Sequence, residues 1–127
     1  MAGRGSRLRP HTFTTAKPLV KIAGKSILAQ LIKDAVKMID EPVEEMAFIV
    51  GDESFFGDQI IQELKLLAKK YNSIATIYRQ LNPLGTGHAI MCAEKSLSGK
   101  ALIIYPDTLI KTNEPFDKEA DAVIWTK

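Results

Sequence analysis

The chain has 127 residues, of which 46% are hydrophobic and 25% are charged, with a formal net charge of +2. These values are typical of a soluble globular domain, and they exclude a disordered chain because enough apolar surface is present to offset the entropy of folding. No apolar run approaches the ~18 residues that a membrane-spanning helix needs. Cys92 is the only cysteine, which excludes a disulfide-stabilised scaffold. No signal peptide follows Met1, so we expect a cytoplasmic protein without a membrane partner.

Basic residues are concentrated at the start of the chain. Residues 1–33 contain seven lysines and arginines and no acid, whereas the rest of the chain is net acidic. This asymmetry favours a local anion site over the broad positive surface that binds nucleic acid. A solvated basic terminus is the alternative that composition leaves open.

Hydrophobic periodicity predicts alternating helices and strands. After a loop over 1–18, the chain contains a helix over 26–39 with Ser26 as N-cap, a strand over 46–50 and a helix over 59–71. A strand over 74–78, a loop over 81–87 and a helix over 86–97 follow. Strands over 101–105 and 122–126 complete the order. Such alternation predicts an α/β fold with a mostly parallel sheet covered by helices on both faces. No strand precedes the first loop and nothing closes the sheet after the last strand, so we expect a fold that is incomplete at both ends.

Ligands of open parallel sheets bind outside the carboxyl ends of the strands. Four polar residues follow predicted strands, namely Asp52, Glu53, Gln80 and Asp107. An aspartate at such a position is a typical ligand of a hard cation.

The two histidines and the cysteine do not form a metal site or a nucleophile site by spacing. His11 and His88 lie far apart, with no cysteine or carboxylate at metal-ligand spacing, so we interpret them as loop or helix-start residues. Cys92 lies among core positions of a predicted helix and is interpreted as a structural thiol.

Four segments remain that carry phosphate chemistry: residues 3–10, Lys17 with Pro18, Gln80 with residues 84–86, and Asp107. Glycines allow backbone N–H groups to approach a phosphate closely, and Arg7 and Lys17 supply positive charge. Together these segments predict a site for a polyphosphate with Mg²⁺.

In this order the segments resemble the signatures of the sugar-phosphate nucleotidyltransferases. The sequence G-S-R-L-R-P-H-T at 5–12 and K-P at 17–18 are similar to the family's glycine-rich opening, and residues 80–87 are similar to its Gln-to-Gly turn. The resemblance implies a Rossmann-like, three-layer α/β/α fold of the GT-A type. It also implies that residues 1–127 are the N-terminal nucleotide-binding part of a single, longer catalytic domain.

The implied activity is the joining of a nucleoside triphosphate, with UTP or dTTP favoured, to a sugar 1-phosphate, giving an NDP-sugar and pyrophosphate. A homo-oligomer is compatible with this reading. Two alternatives stay open: a non-catalytic nucleotide-binding or regulatory module, and a cytidylyl-type transferase acting on a non-sugar phosphate such as phosphocholine.

The resemblance also implies roles for individual residues. Arg7 and Lys17 would act in catalysis, on the leaving pyrophosphate and between the α-phosphate and the attacking phosphate. Asp107 would hold Mg²⁺. The implied nucleotide-binding residues are Ala2, Gly3, Gly5, Ser6, Gln80, Gly85 and Thr86.

Overall fold

The computed structural model describes residues 21–22, 25–54, 56–106, 117, 119–120 and 123–124 of the chain. Its elements are β1 (Lys21–Ile22), β2 (Lys25–Ser26), α1 (Ile27–Ile39), β3 (Glu45–Val50), α2 (Asp58–Lys69), β4 (Ile74–Arg79), α3 (Thr86–Met91) and a 3-10 turn (Glu94–Ser96). The first two predicted helices and the first two predicted strands are confirmed, with ends that differ by no more than two residues. No helix within the described ranges combines the length and the apolar character that crossing a membrane requires.

Helix α1 begins at the predicted N-cap. The Ser26 hydroxyl accepts a hydrogen bond of 3.0 Å from the backbone N–H of Ala29, which satisfies one of the free donors of the first turn. The helix ends at Asp40, whose φ of 52° turns the chain out of the helix while its N–H donates to the Val36 carbonyl. The short antiparallel pair of β1 with β2 lies directly before the helix.

Strands β3 and β4 form a parallel pair, with helix α2 as the connection between them. The register runs from Glu45 opposite Ile74 to Val50 opposite Arg79. The ladder continues one step further, because the N–H of Gln80 donates to the Val50 carbonyl at 2.8 Å. The carboxyl ends of both strands therefore meet at one edge of the sheet.

The core lies on the face of the sheet that carries alternate residues of β3. Met46, Phe48 and Val50 are buried on this face, as the two-residue period of a strand requires. They pack in one cluster with residues of α1, α2 and the segment between β3 and α2: Leu28, Ile32, Phe56, Ile61, Leu64 and Ala68. Both helices therefore cover the same face.

The opposite face of the sheet holds a polar network that binds the 3-10 turn. The Ser96 hydroxyl lies 2.7 Å from the Tyr78 hydroxyl and donates to the Glu45 carboxylate at 2.8 Å. Hydrogen bonds from Thr76 and Ser96 stabilise the ionised carboxylate and hold the pKa of Glu45 below the usual value for a glutamate. Burial acts in the opposite direction, but its effect is smaller. Helices α1 and α2 therefore lie on one face of the parallel pair, and the 3-10 turn lies on the other.

The predicted helix over 86–97 is wrong in its second half. α3 ends at Met91, and the chain tightens into 3-10 geometry, as in the bond from the Ala93 N–H to the Ile90 carbonyl. A helix continuing to 97 would place Ala93 and Leu97 on one face, yet Ala93 is 3% exposed and Leu97 is 37% exposed. The contacts of Ser96 with the sheet hold this turn where local propensity would continue the helix.

The predicted strand over 101–105 is also wrong, because these residues form no sheet ladder. Their exposure alternates, as in an extended segment, but no partner strand for them lies in the described part of the chain. Of the predicted strand over 122–126, only Val123 and Ile124 are described; both are exposed and neither is in a strand.

Candidate functional site

Gln80 occupies the carboxyl end of β4 and is the centre of a small polar cluster. The residue is only 6% exposed. Its amide nitrogen donates to the Gly85 carbonyl at 2.9 Å and lies 3.0 Å from Nδ1 of His88. Three segments thus converge on one side chain: the end of β4, the loop after it, and the start of α3.

Gly85 adopts a backbone conformation that other residues rarely reach. Its φ of 99° and ψ of 178° lie in a region that is essentially restricted to glycine. A Cβ atom at this position would meet nothing within 4 Å, so the requirement comes from the backbone torsion rather than from space. The Gly85 carbonyl accepts from the Ala89 N–H at 3.1 Å as well as from Gln80, so this conformation joins the loop to the helix.

The surface beside this cluster combines hydrogen-bonding groups with apolar side chains. Leu81 and Leu84 are 65% and 71% exposed, in the same loop as Gly85. The Gly85 N–H has no acceptor among the described residues. A planar, partly apolar ring with a polar edge is the kind of ligand that such a surface suits.

Arg79 holds the neighbouring end of β3 in place. Its guanidinium donates to the Gly51 carbonyl at 3.1 Å and to the Phe56 carbonyl at 3.3 Å. These bonds fix the loop between β3 and α2 against the end of β4. The sequence reading missed this residue, although a single arginine that ends an otherwise uncharged strand was a usable signal.

Asp52 and Glu53, the other described candidates at this edge, have a more local environment. The Asp52 carboxylate accepts hydrogen bonds from the N–H and the hydroxyl of Ser54, the second at 2.5 Å and the first at 2.9 Å. This arrangement closes a turn directly after β3. Glu53 is exposed in the same turn.

His88 lies in the candidate site, although sequence analysis assigned it no role there. The prediction of a loop or helix-start residue is confirmed, because His88 is the third residue of α3, and its ring also lies 3.0 Å from the Gln80 amide nitrogen. The signal was its position three residues after Gly85, which turns a side chain of the first helical turn back toward the preceding loop.

The predicted nucleotide-binding residues Gln80, Gly85 and Thr86 lie together around the loop between β4 and α3. The remaining predicted site residues lie outside the described residues: Ala2, Gly3, Gly5, Ser6, Arg7, Lys17 and Asp107. In the part of the chain that the structure describes, no group of three or more histidine, cysteine, aspartate or glutamate residues could hold a metal ion.

Comparison with known proteins identifies the family. The profile of the family described as "Nucleotidyl transferase" matches residues 1–122, which is nearly the whole chain. The chain belongs to the nucleotidyl transferase family. The resemblance of its motifs to sugar-phosphate nucleotidyltransferases is thereby confirmed at the level of the family.

Two relatives illustrate the range of proteins to which this nucleotidyl transferase is similar. It is 33% identical to the bifunctional protein GlmU of Methanococcus maripaludis over 110 residues, covering 87% of this chain and 24% of the relative. It is 32% identical to the catalytic subunit beta of mannose-1-phosphate guanylyltransferase of Drosophila melanogaster over 101 residues, covering 80% of this chain and 26% of that protein. The chain thus spans about a quarter of the length of these relatives.

A solved structure confirms the fold. A UTP-bound UGPase from Acinetobacter baumannii superimposes with a TM-score of 0.64 at 22% identity, over 87% of this chain and 45% of that one. The Rossmann-like α/β architecture of this nucleotidyl transferase is therefore shared with that enzyme.

Proposed function

We propose that this nucleotidyl transferase chain is the nucleotide-binding part of an enzyme that joins a nucleoside triphosphate to a sugar 1-phosphate and releases pyrophosphate. The observation that carries the proposal is the cluster of Gln80 and Gly85 at the carboxyl end of β4, where open parallel sheets bind their ligands. Because the chain belongs to the nucleotidyl transferase family, we expect this cluster to bind a nucleotide.

The polar groups of the cluster favour uracil or thymine as the base. The Gln80 side-chain oxygen is an acceptor and the Gly85 N–H is a donor, which complement the N3–H and the adjacent carbonyl of these bases. The structural neighbour was solved with UTP bound, which agrees with this preference. Guanine carries a similar donor and acceptor side by side, so GTP is the main competitor and belongs in every assay.

The transfer itself needs no general base in this proposal, because a sugar phosphate is already an ionised nucleophile at neutral pH. Catalysis then consists of positioning the two phosphates and neutralising their charge. We assign Arg7 to the leaving pyrophosphate and Lys17 to the attacking phosphate and the α-phosphate. The proposed Mg²⁺ would be held by Asp107, a carboxylate of the kind that this cation prefers.

The decisive experiment measures pyrophosphate release by the full-length protein with Mg²⁺, each triphosphate in turn, and a panel of sugar 1-phosphates. We expect release that depends on both substrates and that falls sharply in Arg7→Ala. Nucleotide binding without release under any sugar 1-phosphate would indicate a regulatory module instead. Release with phosphocholine but with no sugar 1-phosphate would indicate the cytidylyl-type alternative.

Thermal melts test the nucleotide half of the proposal separately. A ligand at ~100 times its Kd stabilises a protein by about 2.7 kcal/mol, which corresponds to a shift of several degrees in Tm. We expect UTP or dTTP with Mg²⁺ to raise the Tm more than CTP, GTP or ATP. A cooperative melt that none of them shifts would contradict the assignment of a nucleotide site.

A further inference from the structure

Residues 85–97 form one hydrogen-bonded segment on the face of the sheet opposite the helical core, and we call this segment the strap. Its backbone bonds begin with the Ala89 N–H, which donates to the Gly85 carbonyl at 3.1 Å. They end with the Leu97 N–H, which donates to the Glu94 carbonyl at 3.1 Å. Further bonds connect the turns between these two points, so α3 and the 3-10 turn are one connected element.

Side chains of the sheet hold the strap at both of its ends. At the carboxyl edge, the amide nitrogen of Gln80 donates to the Gly85 carbonyl at 2.9 Å. At the other end, the Ser96 hydroxyl lies 2.7 Å from the Tyr78 hydroxyl and donates to the Glu45 carboxylate at 2.8 Å. Glu45 begins β3 and Gln80 follows the last residue of β4, so the two anchors lie at opposite ends of the parallel pair.

The strap has little apolar contact with the rest of the protein. None of the residues of α3 is buried, and none of the residues of the 3-10 turn is buried. Ala93, which is 3% exposed, is the one buried residue among 85–97, all of which the structure describes. A segment with so few buried contacts opens at a small cost in free energy. The polar anchors therefore decide where the strap lies.

We propose that Ser96 is a positioning residue for the nucleotide site, because its bonds to Tyr78 and Glu45 hold the far end of the strap and the strap carries this constraint to Gly85. The inference rests on the proposed nucleotide-binding function and adds to it a control that acts from outside the site. Ser96 does not touch the ligand in this proposal, since it lies at the opposite end of the strap from Gly85.

The strap couples its two ends because each anchor limits the positions that are open to the other. With Ser96 bound to the sheet, the strap is already ordered before a ligand arrives, and Gly85 already meets Gln80. Without the bonds of Ser96, the far end of the strap leaves the sheet, and ligand binding has to order it again. Part of the binding free energy is then used for this ordering, so the affinity falls although every group that touches the nucleotide is unchanged.

The first test needs no nucleotide. Amide hydrogen exchange of the full-length protein, followed by NMR, shows how often the bond from the Ala89 N–H to the Gly85 carbonyl opens. We expect Ser96→Ala to speed the exchange of the Ala89 amide by roughly twofold to tenfold, together with the amides of 94–97. Ser98→Ala removes the same hydroxyl from an exposed position two residues later and should leave both unchanged. Faster exchange at 94–97 alone would overturn the inference, since the two ends would then be independent.

The second test separates KM from kcat in pyrophosphate release by the full-length protein with Mg²⁺. We expect Ser96→Ala to raise the KM for the favoured triphosphate by roughly twofold to tenfold and to leave kcat unchanged, because only the binding step has to order the strap. Ser96→Thr keeps a hydroxyl and should stay close to the parent. Ile61→Val trims the core on the other face of the sheet and is the stability control, which should lower the Tm without changing the KM.

A double variant tests whether Tyr78 acts through Ser96. Tyr78→Phe should raise the KM in the same direction as Ser96→Ala, because it removes one of the bonds of the Ser96 hydroxyl. Adding Tyr78→Phe to Ser96→Ala should change the KM little further, since the hydroxyl that Tyr78 contacts is already absent. Fully additive effects on the KM would contradict the inference.

The outcomes separate the two proposals. A parent that releases pyrophosphate, with a folded Ser96→Ala variant that has the KM of the parent, overturns the positioning role and leaves the proposed function standing. An equal rise in KM in Ile61→Val would also overturn that role, because a general loss of stability would then explain the effect. A parent that binds no triphosphate overturns the proposed function, and the positioning role with it.

Discussion

The hydroxyls of Tyr78 and Ser96 form a hydrogen bond of 2.7 Å between strand β4 and the 3-10 turn. The single hydrogen of the Ser96 hydroxyl is donated to the Glu45 carboxylate, so Tyr78 must be the donor to Ser96. With the hydrogen bond from Thr76 to Glu45, the network ties the segment after α3 to both strands of the parallel sheet. It forms on the face opposite the helical core, and it holds the 3-10 turn against that face.

Removing the Tyr78 hydroxyl should therefore loosen the segment after α3. We expect Tyr78→Phe to lower the free energy of unfolding by about 0.5–1.5 kcal/mol, the usual net value of a hydrogen bond. The measurement is chemical denaturation, with hydrogen exchange of the amides of 92–97 as the local readout. Tyr105→Phe is the control, because Tyr105 is 48% exposed and has no hydrogen bond to the described part of the chain. Equal effects of the two variants would refute the anchoring role.

The lowered pKa of Glu45 predicts how the stability of this network depends on pH. The hydrogen bonds from Thr76 and Ser96 favour the ionised carboxylate in the folded state, so the unfolded chain takes up the proton first as the pH falls. The contribution of Glu45 is therefore fully present above the ordinary glutamate pKa of about 4.3 and is lost as the pH falls through the folded-state pKa.

This dependence is measured by unfolding the parent and Glu45→Gln at a series of pH values. The parent should be the more stable protein near neutral pH, and the difference should shrink as the solution is made acidic. Ser96→Ala removes one of the two donors, so its own pH dependence should lie between those of the parent and Glu45→Gln. Curves for parent and Glu45→Gln that stay parallel into acid would show that Glu45 does not carry the effect.

The elements that sequence analysis predicted well are the ones whose signal is internal to the segment. α1 and α2 are long and amphipathic, and β3 is an apolar run that ends at Gly51, so each appears within two residues of the prediction. The predicted length of α3 is wrong because Ala93, Glu94 and Lys95 are good helix formers, which favours a longer helix. The contacts of Ser96 that hold the 3-10 turn come from strands distant in sequence. The two-residue strands β1 and β2 are too short for any period to reveal them.

The site shows the same division. The grouping of Gln80 with Gly85 and Thr86 was predictable, because a polar residue at a strand end and a glycine turn after it can be identified in the sequence. Their role in binding a nucleotide stays a prediction. The contact of the His88 ring with the Gln80 amide was not predicted, since it depends on the way the loop folds the first turn of α3 back onto Gln80. Likewise, a lone arginine at the end of an uncharged strand marks Arg79 in the sequence, but its bonds to the Gly51 and Phe56 carbonyls depend on the folded position of the loop after β3.

The core predicts a sharp contrast between two leucines of α2. Leu64 is fully buried against β3 and β4, whereas Leu66 is 66% exposed. Leu64→Ala should lower the free energy of unfolding by about 2–5 kcal/mol, because it removes apolar contacts and leaves a cavity. Leu66→Ala makes the same chemical change on the surface of the same helix and should stay within about 0.5 kcal/mol of the parent. Equal decreases in the free energy of unfolding for Leu64→Ala and Leu66→Ala, measured by denaturation, would show that Leu64 is not part of the core.

The conformation of Gly85 predicts that an alanine is tolerated two residues later but not at Gly85 itself. Gly85→Ala forces a side chain into a backbone region that costs of order 1–3 kcal/mol, although the space around it is open. Gly87 lies inside α3 with no positive φ and equally open surroundings, so Gly87→Ala should be neutral or stabilising by up to about 1 kcal/mol. Denaturation of the two variants gives the comparison.

The Gly85 carbonyl also holds the Gln80 amide. Gly85→Ala should therefore weaken UTP binding as well, even when the affinity is measured under conditions where the variant is fully folded. A Gly85→Ala protein that is as stable as the parent would show that the loop can relax to another conformation, and unchanged UTP affinity in that variant would separate the Gly85 carbonyl from the readout by Gln80.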